Sequence, residues 1–119
     1  DVLDKICDFN MKQLLSESKS HHEKLGNEIH SLLIQHNSEE KDPNPMAKGM
    51  SWIKTNVKLA ADDSDKTIAD LMTDGCNMGV KSHNKYLNEY CSADEVTKDI
   101  AKRLINLEEK LAVDIRKYL

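Results

Sequence analysis

Val96, Ile100, Leu104, Leu107, Leu111, Ile115 and Tyr118 recur every three or four residues through the C-terminal stretch. That spacing puts them on one stripe of a helix and leaves the intervening Asp, Glu, Lys and Arg on the other side, so the stretch must bury one face against other elements. Arg116 and Lys117 fall in the last turn, where positive charge suits the helix dipole. Ser92-Ala93-Asp94-Glu95, immediately upstream, reads as a capping box.

The same spacing organises the rest of the chain. Leu14, Leu25, Ile29, Leu32 and Leu33 mark a helix over Met11 to Gln35, interrupted by Glu17, Ser18, His21 and His22. Ahead of it, Val2, Leu3, Ile6 and Cys7 form a short apolar face, followed by Asp8, Phe9 and Asn10. Two readings stay open there: one helix running through to His36, about 50 Å long at 1.5 Å per residue, or a stub helix and then a full one. The segment NSEEKDPNP carries both prolines and is the main loop, with Asn44 as N-cap and Pro45 at the first helical position of the next helix.

That helix is short. Met46, Met50, Ile53, Val57 and Ala60 form its stripe, Trp52 lies to one side, and it ends near Ala61. Asp62, Asp63 and Ser64 supply a turn and an N-cap, since short polar side chains accept from free first-turn amides. The next helix runs from Asp65 to about Cys91 with Ile68, Leu71, Met72, Gly75, Met78, Gly79, Tyr86, Leu87 and Tyr90 inward. Gly75 and Gly79 each cost about 1 kcal/mol relative to Ala in a helix interior. Close approach of another helix is the expected reason, with ligand binding as the alternative.

The fold expected is therefore all-α, a single helical bundle domain over residues 1–119, with three long antiparallel helices plus one short helix. Composition agrees: 32% of the 119 residues are charged and 4% aromatic, poor material for sheets. The net charge of −4, with Lys and Arg interspersed among Asp and Glu, speaks against a nucleic-acid partner. Cys7, Cys76 and Cys91 form no CxxC pair and read as free thiols of a reducing cytoplasm. An opening with Asp1, Asp4, Lys5 and Asp8 is wrong for a signal peptide, and no apolar run approaches the roughly twenty residues of a membrane span. A cytoplasmic protein with no membrane partner is expected.

The order of a helix with LLSESKSHHEKLGNEI, a loop, a short helix with GMSWIK, then LMTDGCNMGVKSHNKYL and a final amphipathic helix resembles the rubrerythrin branch of the ferritin-like superfamily. Within it, the likeness is to a bacterial family of small four-helix proteins of uncharacterised function, covering most of the chain from Met11 onward. The stretch before Met11 is too short for a first full helix of that family, so this helix is short or missing, and whether residues upstream of Asp1 complete it stays open. The resemblance implies a ferritin-like bundle and raises the question of a dinuclear iron or manganese site.

Such sites use a Glu from each of two helices and Glu-x-x-His from each of the other two, which stacks both ligands toward the metals. This sequence contains no Glu-x-x-His. His21 falls where the superfamily's helix carries its histidine, but Ser18 stands at the matching Glu position; Glu17, four before His21, offers a ligand pair on one face. With His83 or Asp74, that pair makes at most a partial mononuclear site, against the plainer reading of a solvated or hydrogen-bonded pair. No dinuclear site is carried over, and no catalytic, cofactor or metal residue is assigned. His30 and His36 read as surface residues, while His22, in line with Ser18, Leu25 and Ile29, reads as buried with His83 as its candidate hydrogen-bond partner. No nucleophile elbow or phosphate loop is present.

Two functional classes follow. One is a non-enzymatic ferritin-like bundle that acts through its surface as a homo-oligomer, a second copy covering the groove left by the missing helix, with Leu104 and Leu107 at stake; any other protein partner is unknown. The alternative is a rubrerythrin-like oxidative-stress protein with an atypical iron or manganese site. The ligand count favours the first.

Overall fold

Asp8 decides where the first long helix begins. Its carboxylate accepts from the Met11 amide at 2.9 Å and its carbonyl from Lys12 at 3.0 Å, so it caps a helix opening at Phe9. The computed structural model describes residues 2–35, 45–89 and 94–119, and, of these, gives no account of the side chains of 30, 32–35 and 45–50. A 3₁₀ turn, Val2–Lys5, precedes α1 (Phe9–Gln35); α2 (Pro45–Ala60), α3 (Asp65–Glu89) and α4 (Glu95–Asp114) follow, and a second 3₁₀ turn, Arg116–Tyr118, closes the described chain. Of the two readings at Asp8 to Asn10, the break is the one observed. Asp65, at the start of α3, accepts from the amides of Cys7 and Asp8, both at 2.8 Å, and so ties the opening turn to the bundle.

The helix ends follow local chemistry. α2 stops at Ala61, whose φ of 53° is left-handed and strained for a side chain with a Cβ. Ser64 caps α3, its hydroxyl accepting from the Thr67 amide at 3.3 Å. Asp62 holds that turn: Thr67 donates its hydroxyl to it at 2.6 Å and Ser64 its amide at 3.0 Å, which lowers the Asp62 carboxyl from its ordinary value. α4 is capped by Asp94, which accepts from the Thr97 amide at 2.7 Å; Ser92 of the expected capping box and the Asn44 cap both lie outside the described residues. Where one helix to the C-terminus was expected, α4 ends at Asp114 and gives way to the 3₁₀ turn.

The helices close a ring, α1 on α2, α2 on α3, α3 on α4 and α4 on α1, with α3 and α4 packed most extensively. Met11 and Leu15 from the start of α1 share a cluster with Ile53 and Val57 near the end of α2, Ile68, Ala69 and Cys76 from the first half of α3, and Leu111 and Ile115. Neighbours are therefore antiparallel. Met11, Ile68 and Ile115 are fully buried, each contributing about 1.5–3 kcal/mol relative to exposure. A smaller cluster of Leu25, Ile100 and Leu104, with Ile29 and Leu107 against it, fills the other half.

Two expectations change here. Met78 and Val96 are 47% and 54% exposed rather than inward, whereas Cys76 on α3 and Ile100, Ala101 and Leu104 on α4 are buried. Trp52 is half-buried against the main cluster rather than set aside. Leu104 is buried, and Leu107 partly buried, against Leu25 and Ile29 of α1, so both leucines have neighbours within the chain. Among the described residues there is no strand, and no helix is long and apolar enough to cross a membrane.

Candidate functional site

Cys76, Gly79 and His83 recur at helical spacing along α3 and meet Glu108 of α4. Among the described residues no side chain of a polar or charged residue is fully buried, so this half-buried group is where ionisable chemistry comes nearest the core. His83 Nδ1 lies 3.3 Å from Glu108 Oε2, and the two side chains are only 24% and 14% exposed. The Glu108 carboxylate is the main cause that lifts the His83 pKa above its ordinary value; burial opposes the shift, and the Gly79 backbone assists it.

Gly79 makes room for this pair. A Cβ built there would lie 2.6 Å from Glu108 Cδ, closer than real carbons approach. The expected close approach is thus by a carboxylate, not by a helix backbone. Gly75 is met differently, by the Trp52 ring of α2 at 3.5 Å from a would-be Cβ, an ordinary contact that alanine would also make. Cys76 is buried, and burial, followed by the Glu108 charge, pushes its thiol up to about 12. It stays protonated at neutral pH and is neither a ready nucleophile nor a thiolate ligand.

The other polar residues of α1 go elsewhere. His22 does not partner His83; its Nδ1 sits 2.7 Å from the Ser18 carbonyl, one turn back on its own helix. Glu17 and His21 are exposed, and Glu17 acts on Lys110 of α4. Asp74 is exposed on α3. Among the described residues no three His, Cys, Asp or Glu side chains come together to hold a metal ion. The donor set therefore does not fit the dinuclear centre that the ferritin-like resemblance raises: His83 and Glu108 supply one nitrogen and one carboxylate, already bonded to each other. Further along, Arg103 donates to both oxygens of Glu28 at 3.2 and 2.6 Å, an exposed link between α1 and α4 that lowers the Glu28 carboxyl.

The His83–Glu108 pair was missed at the sequence level although a signal existed. Glu108 lies on the apolar stripe, four after Leu104 and three before Leu111, where an acid needs a partner. No family model matches this chain, and no curated protein or solved structure is significantly similar to it.

Proposed function

We propose that this chain is a ferritin-like helical bundle that has lost, or never had, a dinuclear centre, and that it works without catalysis, through its surface and by self-association. The observation that carries this reading is the occupancy of the α3–α4 seam: Gly79 admits Glu108, and Glu108 is taken by His83. In a di-iron bundle the inward carboxylates bridge metals; here the inward carboxylate is satisfied by an imidazole on the neighbouring helix. The antiparallel ring of helices supports the resemblance at the level of architecture. Leu59 on α2 and Met78 on α3, 78% and 47% exposed, are among the apolar side chains that a second molecule would cover.

The test is metal analysis of the protein purified without chelator, followed by anaerobic Fe(II) and Mn(II) titration. The proposal predicts no stoichiometric ion and the same result for Glu17→Ala/His21→Ala. Two ions per chain, or one that vanishes in that variant, would overturn it in favour of the rubrerythrin-like reading. Sedimentation across concentrations tests self-association separately, and a monomer throughout would remove that part of the proposal.

A further inference from the structure

A recess of about 460 Å³ lies between the first turns of α1 and the end of the chain, lined by Asn10, Leu14, Val113, Arg116, Lys117 and Tyr118. It is a shallow recess open to solvent, with room for a small molecule. Asp114 also lines it, but Lys110 donates to that carboxylate at 2.6 Å and matches its charge. Arg116 and Lys117 bring two further positive charges to the recess in a chain whose net charge is −4. Lys117 Nζ stands 5.2 Å from the centroid of the Tyr118 ring, which holds the ammonium over an aromatic face.

Leu14 and Val113 give the lining an apolar part beside the polar Asn10. Val113 is 53% exposed, and Phe9 and Leu119, 76% and 50% exposed, are the sequence neighbours of Asn10 and Tyr118. Thus three of the large apolar side chains left in solvent are in this lining or next to it in sequence. The bland role of Arg116 and Lys117 is to offset the negative end of α4. That end is already partly neutralised, because the Leu111, Ile115 and Arg116 carbonyls accept from the amides of Ile115, Tyr118 and Leu119.

We propose that this recess binds a small organic anion with an apolar body, its carboxylate or similar group on Arg116 and Lys117 and its hydrophobic part against Leu14 and Val113. The site is independent of the metal question. The test uses the full chain and 1-naphthoate as probe, followed by backbone amide NMR. Saturable shifts are expected at Asn10, Leu14 and Val113 to Tyr118. Two exposed charge contacts amount to at most about tenfold in affinity, so Arg116→Gln/Lys117→Gln should weaken binding by several-fold. The neutral isostere 1-naphthalenemethanol should bind the unmodified chain about as weakly as naphthoate binds the variant. Both substituted side chains are exposed, so the variant keeps its fold, which circular dichroism checks. Absence of saturable shifts, shifts centred on Leu25 and Leu104, or equal binding by the variant would overturn the proposal. So would the same shifts appearing on concentration of the protein alone, which would mean that a second copy sits there.

Discussion

Replacing Gly79 with alanine sets two effects of known sign against each other. In a helix interior the substitution favours folding by about 0.5–1 kcal/mol, because alanine loses less backbone freedom than glycine. Against this, the new Cβ would stand 2.6 Å from Glu108 Cδ, so the carboxylate must swing away. The carboxylate is the far end of a flexible side chain, so the steric part is cheap. Its consequence is not, because His83 and Glu108 then part at 24% and 14% exposure. A hydrogen bond to a charged group is worth about 1.5–3 kcal/mol, and some remaining solvent access puts this one near the lower end. The net expectation is a loss of about 1 kcal/mol. With a urea dependence of roughly 1.5 kcal/mol per molar, the unfolding midpoint at pH 6 falls by about 0.7 M. In a Glu108→Ala background nothing obstructs the Cβ, and the same substitution should stabilise by about 0.5–1 kcal/mol. A coupling of about 2 kcal/mol, with a change of sign, is thus predicted. Gly79→Ala stabilising both backgrounds equally would refute the packing of Glu108 on Gly79.

Three other outcomes are expected. The His83 pKa is raised in the folded protein, so the pair's stabilisation is full below the unfolded-state value of about 6.5 and is lost as pH rises through the higher folded value. Urea midpoints of the unmodified chain and His83→Gln should therefore differ most near pH 6 and converge above neutrality; a gap that widens with pH would contradict this. Ala61→Gly, at a φ of 53°, should stabilise by about 0.5–1 kcal/mol in thermal or urea unfolding, since glycine relieves the left-handed strain. Leu104→Ala, at a side chain 4% exposed, should cost about 3 kcal/mol in urea unfolding while the sedimentation profile stays that of the unmodified chain.

What was legible in the sequence was whatever depends on periodicity within one helix. The stripes from Ile53 and Val57, from Ile68, and from Ile100 to Ile115 predict which faces meet, and the core forms from them. Ends set by side-chain caps were legible to within a few residues, as at Ser64 and Asp94. Partnerships between helices were not. Asp65 reads as an ordinary first-turn acid, yet it accepts two amides 57 and 58 residues away. Gly79, His83 and Glu108 each carry a local oddity, a costly glycine, a helix-interior histidine and an acid on an apolar stripe. Only the register of α3 on α4 joins them, and one-helix spacing does not encode that register. Exposed Met78 and Val96 show the converse error, since apolar type alone does not say which side of a wide stripe finds neighbours.

Among the described residues, the His83–Glu108 imidazole–carboxylate pair is the ionisable contact that joins α3 to α4 beside the core. Its most direct test is an NMR titration of the His83 ring, in the unmodified chain and in Glu108→Gln. The account predicts a midpoint above the ordinary histidine value that falls back toward or below it in the variant, where burial acts without the carboxylate. A His83 midpoint that is the same in both proteins would contradict it.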